Sequence, residues 1–508
     1  MPRAHSQEIC ATTMFCGSNR QPLPLFRTAF MFCLIVMASA ATSSAQTFKT
    51  IHNFCSKTST SGYCLDGQNP ITTLVQGTNG ALYGTTTYGG ANNGNWGTIF
   101  KITTGGTVTT IYSFCAQANC PDGFYPNGAL LLATDGNFYG VTNQGGAYGD
   151  GTVFKVTAAG KLTTLHSFDS AAGEGSYPEV GLIEGTDGNF YGTTNVGGAY
   201  SQGTVYKITA SGTLTTLHSF CGGTCSDGAN PNSPLIQAAN GNFYGVAYAG
   251  GDSDCYPNTG GGASFQITLA GVFTSFSEYC QPNGFYPNSG FVQAANGNLY
   301  ATTASGGGSI SNPGLGTVYE MTTAGSPTWL YSFCLQSGCP DGENPQQLIL
   351  ATNGNLYGTT LYDGATNGTG TVFEMTPTGQ LTTLHEFATT DGINPTGALV
   401  QHTNGTFYGA THLGGKYSQG TIFSLSTGLG AFVEPIPTSA AVGKKVTILG
   451  TGLMGSTAVS FNGTAATFKV VSATEITTTV PTGATSGTIT VTTSTGTKLN
   501  SNVTFVIP

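Results

Sequence analysis

Apolar and polar positions alternate in short bursts along most of this 508-residue chain. Residues 181–220 show the unit: GLIEGTDGNFYGTTNVGGAYSQGTVYKITASGTLTTLHSF. A Leu-Ile pair, then NFYGTT, GTVYKIT and LTTLHSF, each alternate or run apolar over a short stretch. Period-two alternation is the signature of a half-buried strand. Thr-Asp-Gly-Asn, a Gly-rich loop and Ala-Ser-Gly separate the segments, and such clusters are turns. The unit therefore predicts four strands and three turns.

The unit recurs. Its second-strand tyrosine stands at Tyr83, Tyr139, Tyr191, Tyr244, Tyr300, Tyr357 and Tyr408. The near-constant step, roughly 54 residues, points to a propeller or a solenoid. The GTVF-type strand occurs seven times, at 97, 151, 203, 263, 316, 370 and 420. The LTTLHSF-type strand also occurs seven times, at 48, 108, 162, 214, 272, 328 and 381. Its first copy precedes any complete unit, and the last unit, residues 398–426, lacks one. This offset lets residues 48–54 pair beside residues 421–426 and close a ring, which removes open sheet edges. The expectation is an all-β chain with a seven-bladed β-propeller over residues 46–427, closed by its N-terminal strand. An open solenoid with capping repeats, or another blade count, is the alternative.

Within a unit, Thr-Asp-Gly-Asn and Thr-Asn-Gly-Asn suit turns that need left-handed backbone. The glycine after each tyrosine (Gly84, Gly140, Gly192, Gly245, Gly358, Gly409) lies inside a strand. Such a glycine predicts close backbone approach or a bulge. The set G-N-F-Y-G-T-T, G-T-V-F-K-I-T and L-T-T-L-H-S-F resembles the Gloeobacter/Verrucomicrobia-type tandem repeat, the GloVer repeat, over nearly the whole body. The fourth unit departs most, with residues 252–262 inserted and Ser264-Phe265 in place of Val-Phe. The resemblance implies an exported protein, often joined to varied surface anchors, and no established activity.

After Thr427 the period ends. Residues 431–508 hold short alternating strands with regularly spaced turn signals, as in a β-sandwich. The order G-x-x-V-T-I-x-G-x-x-L, V-x-F-N-G, I-T-x-x-V-P and G-x-I-T-V resembles the IPT/TIG family of immunoglobulin-like domains. That implies a spacer, adhesion or interface module over residues 428–508, without catalytic residues.

Composition narrows the partners. Only 7% of residues are charged, the net charge is -9, and all three arginines (Arg3, Arg20, Arg27) precede residue 30. Binding to phosphate backbones needs clustered cations, so nucleic acid and strongly anionic glycans are poor partners. Residues 29–38 (AFMFCLIVMA) form a short apolar run after Arg20 and Arg27, followed by small residues up to Ala45. This reads as a signal peptide over 1–45, with Met14 as an alternative start; the run is about half the ~20 residues of a membrane span. Export agrees with ten remaining cysteines that fall in neighbouring pairs: Cys55 with Cys64, Cys115 with Cys120, Cys221 with Cys225, Cys334 with Cys339, and Cys255 with Cys280 by elimination. Zinc ligation is the alternative use of such pairs.

Candidate chemistry lies on the face that carries the long loops. Asp-Gly-x-x-Pro starts at Asp66, Asp122, Asp227, Asp341 and Asp391, with Glu174 and Asn283 in the other two units. Repetition in every unit favours a structural turn. The functional alternative is a ring of carboxylates holding Ca²⁺ or sugar hydroxyls, and otherwise no cofactor or metal is expected. His52, His166, His218 and His385 share a strand position that also takes Tyr112 and Tyr331, which reads as packing. His402 and His412 lie off it, and no G-x-S-x-G motif supports a hydrolase triad. Unrepeated acids are Asp150, Asp252, Asp254, Glu320, Asp363 and Glu374; Glu320 and Glu374 replace the lysine of FKIT and read as solvated strand positions. The ligand-binding candidates are Tyr88, Trp96, Tyr148, Tyr200, Asp252, Asp254 and His412. The functional expectation is an exported, extracellular or cell-surface protein that binds neutral polysaccharide or a surface protein. A structural or adhesive envelope protein and a glycan-active enzyme are the alternatives.

Overall fold

The computed structural model describes residues 46–508 apart from 93, 252–259, 277–278, 280–283, 309–313 and 365–367. The chain is all-β, and its one described helical segment is the single 3-10 turn Ser170–Ala172. The third unit shows the pattern. Ile183–Glu184, Phe190–Thr194, Thr204–Ile208 and Leu214–Ser219 form one antiparallel sheet in chain order. The first, second and fourth units repeat that order, and the fifth and sixth add a short strand against their second strand. The seventh sheet contains Val400–Gln401, Phe407–Thr411 and Thr421–Ser426, and its outer strand comes from the other end of the chain. There Thr47–Asn53 runs antiparallel to Thr421–Ser426, from Thr47 opposite Ser426 to Asn53 opposite Thr421.

Contacts run from each sheet to the next and from the seventh to the first. Each second-strand tyrosine lies against the next sheet, as with Tyr83 on Phe138 (centroids 4.3 Å apart), Tyr139 on Phe190 (4.1 Å) and Tyr191 on Phe243 (4.1 Å). Tyr408 of the seventh sheet packs with Leu82, Phe100 and Leu74 of the first. Offset aromatic pairs add about 0.5–1.5 kcal/mol to the burial of their area. The glycine that opens each third strand makes a second joint. Gly97 has φ +97°, and a Cβ there would lie 2.5 Å from Pro126 Cδ of the next sheet. The same fit closes the cycle, with Gly420 (φ +93°) against Pro70. A third joint is the inner-strand glutamine. Gln76 of the first sheet accepts from Thr403 N (2.9 Å) and donates to Thr403 Oγ1 (2.9 Å) in the seventh. Gln237 and Gln401 grip Thr186 and Thr352 in the same way.

The glycine after each tyrosine has a different cause from the one expected. A Cβ at Gly84 or Gly140 would strike the ring of Phe100 (2.8 Å) or Phe154 (2.6 Å), which stands opposite on the third strand. An aromatic ring, not a neighbouring backbone, fills the space. The register shift lies one strand further out, between Ile99 and Phe100 against the fourth strand.

The C-terminal segment forms two four-stranded sheets. Val446, Ile448, Val459, Phe461, Ile476, Ile489, Val491 and Phe505 fill the core between them. The sandwich bonds the short-turn end of the repeat body. Thr474 Oγ1 donates to Thr78 O (2.7 Å), Thr451 and Thr403 share a hydroxyl contact (3.0 Å), and Leu449 joins the core around Ala81 and Tyr83. The long loops lie at the opposite ends of these strands.

Glu184 takes the position of the inner-strand glutamine and accepts from Thr134 N (2.9 Å) and Thr134 Oγ1. Burial outweighs these bonds and raises its carboxyl above the ordinary value of 4.5. A carboxyl raised on folding stabilises below its unfolded pKa and loses that contribution as pH rises through the folded one. Glu184→Gln keeps the acceptor and adds a donor for Thr134 Oγ1. Thermal melts should show the variant about 2 °C more stable at pH 7 and equal to the parent at pH 3; equal melting at pH 7 would contradict the burial penalty.

Candidate functional site

Among the described residues, the loop that enters six of the seven sheets is held by a carboxylate clamp. Asp227 accepts from Cys221 N (3.0 Å) and lies 2.9 Å from His218 Nε2. Asp391 does the same with Ala388 N (2.7 Å) and His385 Nε2 (3.2 Å), and Glu174 with Asp169 N (3.1 Å) and His166 Nε2 (2.8 Å). Where the strand carries tyrosine, the phenol donates: Tyr112 to Asp122 (2.8 Å) and Tyr331 to Asp341 (2.9 Å). His and Tyr alternate because both present a ring donor at the same height above the strand. The imidazoles also stack, His218 on Phe273 at 3.6 Å and His385 on Phe48 at 3.5 Å. Asp66 lies 3.3 Å from His52 Nε2 and accepts from Ser56 Oγ (2.6 Å) and the Ser56 and Lys57 amides.

Four disulfides sit in these loops: Cys55–Cys64, Cys115–Cys120, Cys221–Cys225 and Cys334–Cys339. Cys255 and Cys280 lie outside the described residues. Cys334, Cys339 and Glu343 come together at metal-like spacing, but both sulfurs are bonded to each other.

After the clamp, the residue before each proline adopts left-handed backbone. Asn69, Tyr125, Tyr177, Asn230, Tyr286, Asn344 and Asn394 have φ between 54° and 59°. For tyrosine this region is sterically costly, on the order of 1–3 kcal/mol. The surroundings enforce it. Each of these N–H groups donates to a loop carbonyl of the preceding sheet at 2.7–3.1 Å, from Asn69 to Gln419 through Asn394 to Thr369. The same residue thus stitches two sheets together and places its side chain among the long loops.

The aromatic candidates divide into two groups. Tyr148 and Tyr200 project from second-to-third-strand loops, 62% and 53% exposed. Tyr88 and Trp96 are half-buried in a cluster with Phe124 and Tyr125, with Tyr88–Tyr125 at 5.2 Å and Trp96–Phe124 at 5.1 Å. Tyr248 and Tyr286 stack at 4.9 Å in a second cluster. His412 is half-buried in its loop, and burial lowers its imidazole pKa. His402 is buried; its Nε2 bonds Gly80 O (3.0 Å) across the joint to the first sheet. Asp252 and Asp254 lie outside the described residues. Asp150 accepts from Ser170 N (2.9 Å). Glu320 and Glu374 are not simply solvated: each accepts a buried second-strand phenol, Tyr300 (2.9 Å) and Tyr357 (2.8 Å), and an asparagine amide beside it.

Sequence reasoning passed over Glu179. It follows Pro178 at a repeat position held elsewhere by Ile71, Asn127, Asn232, Asn288, Gln346 and Thr396. It accepts from Asn143 Nδ2 (2.9 Å) and Asn195 Nδ2 (2.7 Å), side chains of two different sheets. Being the only acid at that position was the available signal.

Asp66 is buried, which raises its pKa, but the adjacent His52 and hydrogen bonds from Ser56 and Lys57 prevail and lower it below 3.8. A lowered carboxylate stabilises above its unfolded pKa, and that contribution is lost as pH falls through the folded value. Asp66→Ala should cost about 2 kcal/mol in urea unfolding at pH 7, and the difference should shrink below pH 3. An unchanged midpoint at pH 7 would remove the clamp from the account.

The Gloeobacter/Verrucomicrobia repeat matches residues 38–257 and 256–467, and the IPT/TIG domain matches residues 433–507. No curated protein matches the sequence. Among solved structures, a gluconolactonase from Xanthomonas campestris is 13% identical, covers 62% of this chain and 87% of its own, and has a TM-score of 0.38. The extracellular domain of the putative hybrid two component system BT3049 from B. thetaiotaomicron is 12% identical, covering 91% of this chain and 58% of its own, with a TM-score of 0.46. A luciferin-regenerating enzyme is 13% identical, covering 58% and 89%, with a TM-score of 0.36. On its repeats this chain belongs to the Gloeobacter/Verrucomicrobia repeat family, and an IPT/TIG domain follows them.

Proposed function

We propose that this is an exported binding protein. Residues 1–45 are its signal peptide, 46–427 a seven-bladed β-propeller closed by the N-terminal strand, and 428–508 the IPT/TIG immunoglobulin-like domain. The cycle of joints from the seventh sheet back to the first supports the propeller. Four loop disulfides support an oxidising, extracellular or cell-surface location. No helix among the described residues is long and apolar enough to cross a membrane.

One observation carries the binding reading. Among the described residues, the five tyrosines more than a third exposed are Tyr148, Tyr177, Tyr200, Tyr362 and Tyr417. All five lie in, or at the start of, the long loops, opposite the end that bonds the IPT/TIG domain. Tyrosine presents a rigid apolar face and a hydroxyl at low entropic cost, which suits sugar rings and protein surfaces alike. The low charge of the chain fits a neutral partner.

Gel retardation on neutral and acidic polysaccharides, with reducing ends counted in the same samples, tests this. Retardation by a neutral polysaccharide without new ends is expected, and Tyr148→Ala with Tyr200→Ala should weaken it about tenfold. New reducing ends would make the protein an enzyme. Neither retardation nor new ends would leave a protein partner or a structural envelope role.

A further inference from the structure

His402 departs from the repeat in a turn that touches three parts of the chain. The equivalent residue of the other six units is Gly77, Ala133, Gly185, Ala238, Ala294 or Ala351. The backbone turn is the same: His402 N donates to Thr406 O (2.9 Å) as Ala133 N does to Asn137 O (2.9 Å). The imidazole is therefore surplus to the turn. It is 3% exposed, and both ring nitrogens are engaged. Nε2 lies 3.0 Å from Gly80 O of the first sheet, and Asn404 N lies 3.1 Å from Nδ1. A carbonyl only accepts and an amide N–H only donates. The two bonds therefore fix a neutral ring with its proton on Nε2.

The neighbours of the ring give it a role. Thr403 is buried and grips Gln76 of the first sheet through N and Oγ1 (2.9 Å each). Its Oγ1 also meets Thr451 of the sandwich (3.0 Å), and its carbonyl accepts from Phe432 N (3.0 Å), just before the sandwich begins. Gly80, which the imidazole bonds, lies against the sandwich too: a Cβ there would be 2.8 Å from Thr474 Cγ2. His402 and Asn404 thus bracket Thr403, where the seventh sheet, the first sheet and the C-terminal domain meet.

A proton on Nδ1 would turn that acceptor into a donor facing the Asn404 N–H. The titratable groups of the elements packed around the turn are few. They are Tyr408 in its own sheet, edge-on with centroids 5.8 Å apart, and Tyr83 and Lys101 in the first sheet. The sixth sheet has Tyr357 and Glu374, bonded to each other, and the sandwich has Glu434 and Glu475, which flank Leu449. Among the described residues, none of these bonds the imidazole. Burial accordingly lowers its pKa below 6.5, despite the bonds with Gly80 and Asn404. A histidine held neutral stabilises fully above its unfolded pKa of 6.5, and that contribution is lost as pH falls toward the folded value. Glu434 has the opposite sign. Burial holds its carboxyl at about 7, so it weakens the sandwich contact as pH rises, not as it falls.

We infer that His402 is an acid-sensitive latch: its protonation releases the turn from Gly80 and loosens Thr403, and so frees the C-terminal domain from the short-turn end of the repeat body. The latch does not depend on the binding reading, because it lies at the end of the strands opposite the long loops.

The test is hydrogen exchange by mass spectrometry on the exported chain at about pH 7.5 and 5.5, corrected for intrinsic exchange, with His402→Ala and His402→Gln beside the parent. One proton shifts an opening equilibrium by at most about tenfold per pH unit. Residues 76–81, 402–406 and 429–434 of the parent should therefore open about threefold to tenfold more at the lower pH. The strands Phe190–Thr194 and Phe243–Ala247 should not change. His402→Ala installs the residue that four other units carry, so the turn should still form. It should open more than the parent at pH 7.5 and equally at both pH values. His402→Gln keeps a donor for Gly80 O and should open less than the alanine variant, again without a pH response. Nitrogen shifts of ¹⁵N-histidine in the parent should show the Nε2–H form at neutral pH. Equal opening of the parent at both pH values, the same pH response in His402→Ala, or an Nδ1–H ring would overturn the latch. So would a loss that reaches the two control strands in step with the turn, since acid would then be opening the whole body.

Discussion

Everything in the repeat body depends on the pairing of Thr47–Asn53 with Thr421–Ser426. Each sheet buries its second-strand tyrosine against the sheet that follows and its third-strand aromatic against the sheet that precedes it. A linear stack would leave the seventh sheet with no successor and the first with no predecessor. The strand pairing brings the two ends of the repeat body into register, and the first and seventh sheets then share one core. The glycine-to-proline fit and the glutamine grip repeat across this seam as they do at other joints. The seventh and first sheets are thus joined by the same contacts that join other neighbours, with one strand supplied from the far end.

Much of this was legible in the sequence because it recurs. The offset between seven GTVF strands and a leading LTTLHSF strand required a strand exchange, and the pairing of Thr47–Asn53 follows it. Four of the five expected cysteine pairs were legible because each closes a short loop after the same strand. The glycine after tyrosine was legible as a constraint but not in its cause. Its neighbour in space is a phenylalanine on the following strand, distant in sequence and brought opposite by strand register. Glu320 and Glu374 looked solvated because the lysine they replace usually is. Their partner is a phenol on the adjacent strand, and only the register shows that the two meet.

The histidines show how a correct pattern can hide its chemistry. Sharing a position with tyrosine argued for packing, and the rings do stack. They also hold the carboxylate of the following loop, a bond that either ring donor can make. Glu179 was missed for the opposite reason. Its setting is a single departure from the repeat, and reading it needed the amide orientations of two other sheets. Repetition builds the scaffold, and the units differ where it fails, as at Glu179 and at the exposed loop tyrosines.

The seam is best tested by hydrogen exchange read by mass spectrometry on peptides covering residues 47–54 and 421–426. Local fraying and global unfolding separate clearly in such data, because exchange through global opening is slowest and shared by all core strands. The account predicts that both peptides exchange together, at the slow rate of the inner strands Phe190–Thr194 and Phe243–Ala247. Fast exchange of residues 47–54 with slow exchange of 421–426 would show an opening strand that merely rests on the seventh sheet, and closure would lose its place as the constraint on the fold.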